Sequence, residues 1–569
     1  MQIKRFFLFT LYSCSFFFCF AQSDLYTMDI SQWSFIEHSQ LKDEDTSSFD
    51  RYNAGTLIFD ANLGVKPDAR HSINTTVRFM GSFGSFFPVP PIQMRELYAK
   101  GQLVNDKLWY QIGDFQESLS PYTLHNFRQE LWNKTPSFNA NQDFIRYNNF
   151  YQANTWRRQG LALNAKLKTN QKKDDLLLSS SLSRSRGVNV VTELEENIAL
   201  LATGSVAWKK KESFSLKLNM AHHFSLQNSS DNPLTYTNTV GSLQSAYVHD
   251  LGGSKLEISL ETAASRLAYQ TTDVESTLTA KNRKGGVFDV GVNWKNDVFS
   301  FGLRYRYVDI YFFSQGAQTK RIAFDSSATV FGTVNSQARG LTIFDLVADN
   351  AIYNRQLNHV LMPYDLRYEN TTPYGVATPN REGVTFKGDL NLGGGVTFSM
   401  KMDLLKEVSL LGFEDKKVFR KIASELTLPL HSLFYWNKKQ TLYAMIRNES
   451  GLRNEVADTL DSDLKTMFVS VGGEFEILKN VSLLPSYQLL KAKGQDNLFD
   501  YGQTNQISDF PTIYQYDQTQ KMYSLGVRYS YKDNIFLTVN WQQFQSDDKL
   551  IQANNYRISR FNILFSVNI

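Results

Sequence analysis

Apolar and polar residues alternate one for one along this chain, in segments of about 9–14 residues that recur from Ala54 to Ile569. Phe288, Val290, Val292 and Trp294 share one parity, and Asp289, Gly291, Asn293 and Lys295 the other. The next segment sets Phe299, Phe301, Leu303, Tyr305 and Tyr307 against Ser300, Gly302, Arg304 and Arg306. Later, Tyr523, Leu525, Val527, Tyr529 and Tyr531 alternate with Ser524, Gly526, Arg528, Ser530 and Lys532, and Ile535, Leu537, Val539 and Trp541 with Thr538, Asn540 and Gln542. A period of two sends successive side chains to opposite faces of a strand. Each segment therefore needs an apolar medium on one face and water on the other.

Two media satisfy that demand, a protein core or lipid, and the connections decide between them. Tight turns are expected near Asn105-Asp106, Lys209–Lys211, Gly252-Gly253, Asn296-Asp297, Asn437–Lys439, Lys479-Asn480 and Asp533-Asn534. Longer connections fall between them, near 116–155, 185–196, 225–237, 270–284, 314–382, 450–463, 494–520 and 546–555. Short turns on one rim and long loops on the other are what a transmembrane barrel requires. A soluble sandwich has no reason to take turns in this way. The fold class expected is all-β, one large antiparallel transmembrane barrel of about 20 strands, even in number and between 18 and 22. The weakest segments in that count are an opening strand near Ile30–His38 and Val408–Phe413.

The chain holds 28 Tyr and 42 Phe, and after its first two dozen residues it has no apolar run of the roughly 20 residues that span a bilayer as a helix. Lys4 and Arg5, the apolar run Phe6 to Phe20 and then Ala21-Gln22-Ser23 have the layout of a secretory signal peptide. Residues 1–21 are read as that signal, 22–53 as an N-terminal segment with the opening strand, and 54–569 as the barrel. The chain's two cysteines, Cys14 and Cys19, lie inside the signal, so disulfide, thiolate and cysteine-metal chemistry are excluded from the mature protein. Leu11-Tyr12-Ser13-Cys14 has the outline of a lipobox, but the apolar run continues past it. Without Lys4 and Arg5 the formal charge falls from +4 to +2, which argues against nucleic acid as a partner.

The whole-chain pattern, with a signal ending in Ala21-Gln22, resembles outer-membrane barrels of the Bacteroidota. A local stretch, Arg95-Glu96-Leu97-Tyr98 through Gly113-Asp114-Phe115 to Ser118-Leu119-Ser120-Pro121-Tyr122, is similar to a porin hairpin followed by a Ser/Pro-rich loop. The resemblance implies a porin-like protein and no particular substrate. A TonB-dependent receptor would need a plug domain of more than about a hundred residues ahead of its barrel; strand grammar beginning near Ala54 leaves no room for one. The final alternation, Phe561, Ile563, Phe565, Val567 and Ile569, fits the closing strand read by barrel-insertion machinery, so periplasmic chaperones, that machinery and outer-membrane lipid are expected partners.

No nucleophile elbow, phosphate loop or zinc spacing occurs, and neither metal nor cofactor is implied. His222 and His223 are adjacent on one strand and so face opposite ways; the other histidines are scattered. The informative residues are charges on the polar parity. Arg304, Arg306, Arg528, Lys217, Glu257, Glu261 and Glu474 are expected to line a watery lumen, with Lys166, Lys295, Glu476, Asp289 and Asp60 on the same side. Because both signs are mixed, no strong ion preference is expected. The segment Ser314 to Glu382 is too long and too rich in Tyr, Arg and apolar pieces for a waving loop. It is expected to enter the barrel mouth as a constriction, with Tyr364, Arg367, Tyr374 and Arg381 lining the path; the alternative is an external surface loop. A second aromatic and Arg-rich loop, 116–155, contains Tyr122, His125, Phe127, Arg128, Trp132, Phe144, Arg146, Tyr147 and Tyr151, side chains suited to sugar faces and anions. Together these features imply a passive channel for a small polar solute rather than an enzyme. The rival is a non-conducting scaffold that binds an exported or surface protein, and an outer-membrane hydrolase comes third.

Overall fold

The computed structural model describes residues 25–569 apart from 44–48, 83–91, 105–106, 128–134, 150–151, 153, 170–173, 186–198, 211–212, 227–233, 272–280, 320–327, 329, 335–336, 349–356, 456–459, 502–509 and 533. The signal-peptide reading and the lipobox therefore lie outside the described residues.

Twenty-two strands form one antiparallel sheet. The first half comprises β1 (Tyr26–Asp43), β2 (Phe49–Asp68), β3 (His71–Ser82), β4 (Ile92–Val104), β5 (Leu108–Glu117), β6 (Trp156–Thr169), β7 (Asp174–Ser185), β8 (Ala199–Lys210), β9 (Phe214–Ser225), β10 (Leu234–Asp250) and β11 (Ser254–Thr271). Then come β12 (Lys281–Asn296), β13 (Phe299–Val308), β14 (Arg381–Leu392), β15 (Val396–Lys406), β16 (Val418–Pro429) and β17 (Gln440–Leu452). The wall is completed by β18 (Lys465–Leu478), β19 (Val481–Leu498), β20 (Thr512–Lys532), β21 (Ile535–Asp548) and β22 (Tyr556–Asn568). Each pairs with the next, and β1 pairs with β22 from Ser31↔Asn568 to Asp43↔Tyr556, so the ring closes and no edge is left unpaired.

The strand ends fall where the alternation of short and long connections demands. One rim holds the tight joins, such as Asp250 to Ser254, Asn296 to Phe299 and Leu478 to Val481; the other holds Glu117 to Trp156 and Val308 to Arg381. Both ends of the barrel sit at the short-turn rim, where Ile30 and Ile569 exchange backbone hydrogen bonds of 2.8 and 2.9 Å. The opening segment Ile30–His38 lies within β1. Val408–Phe413 is not a strand: Leu411 and Gly412 both have positive φ (54° and 93°), and the segment turns back on the long-loop rim. The alternation there belongs to a loop because no neighbour pairs with it.

Parity holds around the wall. Phe288, Val292, Phe301, Leu303, Tyr523, Leu525, Val527 and Trp541 are exposed on the outside. Asp289, Arg306, Ser524 and Asn540, on the other parity of the same strands, are buried inside. A closed ring with an apolar exterior satisfies every backbone group internally, which is the condition for crossing lipid with strands. Barrels of this design belong to outer membranes, and this chain is an integral protein of that membrane, with its short turns on the periplasmic side.

The interior is not an empty tube. Helix α1 (Pro136–Asn148) and the short helix α2 (Ile343–Ala348) lie inside the ring. They pack Phe138, Phe144, Ile145, Ile343 and Phe344 against inward-facing Trp33, Phe35, Ile58, Phe468, Leu490, Met522 and Phe544. Inward apolar side chains thus occur where a loop covers them. Further inward apolar patches, such as Tyr236, Leu267 and Tyr269, or Val240, Val287 and Val308, are likewise covered by loop residues.

Candidate functional site

The described residues between Asp309 and Asn380 lie within the ring, and those from 363 to 381 are fixed there by buried charge. Lys421 Nζ donates to Glu369 Oε1 at 2.6 Å and lies 3.5 Å from Asp403. Arg447 approaches Glu369 at 3.6 Å, while Glu449 accepts from the backbone N–H groups of Asn370 and Thr371. Lys417 pairs with Asp496, which also accepts from Asn370 Nδ2. Arg453 pairs with Glu407 at 2.6 Å. Asp345, inside the segment, takes both terminal nitrogens of Arg339 at 2.7 and 2.8 Å. Across the lumen, Asp60 accepts from Arg78 at 2.8 Å, from Arg95 and from the Tyr147 hydroxyl, tying the C-terminal end of α1 to β2–β4. The plug is therefore held by both apolar contact and buried ion pairs with the wall.

This arrangement revises the four side chains expected to line the path. Tyr364 and Tyr374 meet edge to face at 5.6 Å within a packed cluster. Arg367 is held by Asp365 and donates to Gln518 Oε1 at 2.6 Å. Arg381 donates to the carbonyls of Thr371, Asn380 and Asn370 and lies 3.8 Å above the Phe419 ring. These residues hold the plug together; a loop that must be seated in a lumen turns its strongest hydrogen-bonding groups inward. Tyr364, Tyr374 and Arg381 border a cavity of about 50 Å³, room for waters rather than a solute. In the other aromatic loop, Tyr122 is buried and donates to Asp289, and Phe144 and Tyr147 pack against Trp33; Arg128, Trp132 and Tyr151 lie outside the described residues.

The wall charges divide in the same manner. Arg306 is buried at 2% exposure, donates to Thr385 and sits 3.8 Å from Asp403. Arg528 donates to Thr538 Oγ1 at 3.1 Å and reaches the first carbonyl of α1, Pro136 O, at 3.5 Å. Glu474 meets Lys439 at 3.2 Å near the short-turn rim. The other four, Lys217, Glu257, Glu261 and Arg304, come together around a cavity of about 270 Å³. Lys209, Gln244, Ser259, Asp289 and Pro121 are also in its lining.

Register explains the gathering. Lys217, Gln244, Glu261, Asp289 and Arg306 are direct cross-strand partners in one row over β9–β13; Ser259, Gly291 and Arg304 form the next row toward the short turns. Lys217 Nζ donates to Leu119 O of the plug at 2.8 Å, and Gln244 Nε2 to Glu261 Oε2 at 3.0 Å. Asp289 lies 3.5 Å from Arg304. Among the described residues Glu257 makes no ion pair, so its carboxylate is free to meet a solute. Sequence reasoning missed Lys209 and Gln244; their inward parity was readable, but the plug alone decides which inward groups stay wet. His222 and His223 do face opposite ways: His222 bonds Thr239 at 2.7 Å, while His223 is buried in the lumen.

No protein-family model and no characterised protein sequence matches the chain. Solved structures match along its length. A BenF-like porin from Pseudomonas fluorescens Pf-5 is 8% identical over 96% of this chain and 99% of its own, with a TM-score of 0.35. OccK8 (OprE) from Pseudomonas aeruginosa is 10% identical over 95% and 98%, with a TM-score of 0.33. The outer membrane protein opdK of the same species is 9% identical over 95% and 99%, at 0.35.

The plug also contains a pH-sensitive contact. His359 stacks on Tyr236 at 4.8 Å, and its carbonyl accepts from the Tyr269 hydroxyl. Burial holds its imidazole below the ordinary 6.5. With that pKa lowered, the released loop takes up a proton before the seated loop does, so seating is unaffected at neutral pH and weakens as pH falls through 6.5. Conductance should rise as pH falls through and below 6.5, and His359→Phe should flatten that rise. An equal rise in the variant would locate the proton elsewhere.

Proposed function

We propose that this protein is a passive outer-membrane channel for small polar solutes, narrowed from the long-loop side by its own inward segments. The observation that carries the reading is the charged, water-accessible cavity between the plug and the short-turn rim. A structural barrel has no need to keep an unpaired Glu257 beside Lys217 and Arg304 there. A 22-stranded wall is wide enough to conduct unless filled, and mixed charge over a short distance suits solutes carrying both donors and acceptors. Single-channel recording in planar bilayers tests it: discrete conductance steps are expected, and Glu257→Lys should move the reversal potential in a salt gradient toward anion selectivity. A folded barrel that never conducts, including at low pH, would contradict the channel.

One specific observation favours the second reading, a closed scaffold: the ion pairs that seat residues 363–381 are almost wholly buried. The recordings separate the two, since a scaffold has no steps to modulate.

A further inference from the structure

Among the described residues, the short-turn rim carries one connection unlike its neighbours. Most joins there are brief and polar, but β16 and β17 are separated by residues 430–439, which read Leu-His-Ser-Leu-Phe-Tyr-Trp-Asn-Lys-Lys. Leu430–Leu433 form a single helical turn. Phe434 N–H donates to Leu430 O at 2.9 Å and Trp436 N–H to His431 O at 2.8 Å. The His431 ring is within 3.0 Å of Gln440 O and accepts from Gln440 N–H at 3.3 Å, so the base of the connection is clasped shut. Tyr435 sits at φ 55°, a left-handed conformation that a side-chain-bearing residue rarely adopts. The outcome of this fixed geometry is exposure: Tyr435 is 92% exposed, Phe434 59% and Trp436 51%. Phe434 and Trp436 stack on each other at 5.2 Å and on nothing else described.

We infer that this aromatic turn is a lipid anchor, seated in the headgroup layer of the membrane leaflet on the short-turn side. Three observations select lipid. The turn lies along the rim, with Ser432 against Gly394 of the preceding turn and Lys438 Nζ donating to Ile477 O of the following one. It is continuous with the lipid-facing wall, since Leu478 and Ile477 beside it are 64% and 46% exposed. Its charge is basic where it meets solvent: Lys438 flanks the aromatics and makes no ion pair among the described residues. Trp and Tyr with adjacent Lys are the side chains that partition at a membrane–water boundary, rings among the glycerol groups and ammonium at the phosphates. The inference concerns how the barrel is held at a fixed depth and is independent of whether it conducts.

The cysteine-free wall makes the test direct. Tyr435→Cys and, as a polar-turn control, Asn480→Cys are labelled with a small fluorophore in the full-length barrel, reconstituted in phosphatidylcholine vesicles containing phosphatidylglycerol. Shallow nitroxide-labelled lipid should quench the label at 435 by at least about twofold more than the label at 480, and aqueous iodide should quench it less. In the background Phe434→Ser with Trp436→Ser, which lies outside the strand ladder and leaves the barrel intact, the difference should vanish. Equal iodide access at both positions overturns the inference. So does protection from iodide without quenching by lipid nitroxide, which would place a protein surface on the turn instead.

Discussion

Lys421→Met should open the channel while leaving the barrel standing. Lys421 is 3% exposed and is the cation between Glu369 of the plug and Asp403 of the wall. Removing one member of such a set leaves buried charge uncompensated, at a cost of about 3–5 kcal/mol. That cost falls on the seated plug, because β15–β17 are joined by backbone hydrogen bonds the substitution does not touch. In the ratio of seated to released plug, the same energy is on the order of a hundredfold or more. Single-channel records should show larger and longer openings, and unheated samples should keep the compact migration of a folded barrel in detergent gels. Lys421→Arg should behave nearly as the parent. Unchanged records from Lys421→Met would mean that residues 363–381 do not obstruct the solute path.

Val539→Arg should destabilise the barrel far more than any change at the cavity. Val539 faces outward between Leu537 and Trp541, level with Val527 and Ile563 on its neighbours. An arginine at mid-membrane depth on the lipid face costs about 2–4 kcal/mol. Glu257→Gln, facing water inside, should stay within about 0.5 kcal/mol. Denaturant titrations of both variants in phospholipid vesicles give the comparison. Equal stability would mean that residue 539 does not meet hydrocarbon.

The wall was legible because a period of two has no other common cause, and Phe288 to Lys295 states both faces of its strand outright. The segment Val408–Phe413 misled because alternation over so few residues costs a loop nothing; Gly412 was the sign of a turn. Helix α1 was hidden inside what reads as a long connection, although Thr135-Pro136 is a fair start signal for a helix. The plug's entry could be argued from length and composition. The role of its residues could not: Arg381 and Tyr374 look like binding groups until their partners, Asn370 and Met362, are brought beside them by the fold. Parity tells which charges point inward, whereas Glu369, Lys421 and Asp403 meet only because β14 to β17 and the plug converge. Sequence separation conceals that convergence.

Around the closed ring, wall side chains alternate between hydrocarbon and the barrel interior. Single cysteines at successive positions 287–295, spin-labelled in reconstituted membranes, measure this most directly through collision with dissolved oxygen and with a water-soluble nickel chelate. Labels at 288, 290, 292 and 294 should collide mainly with oxygen, and the label at 293 and its inward neighbours should show far less oxygen and, toward the short-turn rim, more nickel. Uniform accessibility along the segment, or nickel contact on the parity of Val290 and Val292, would contradict it.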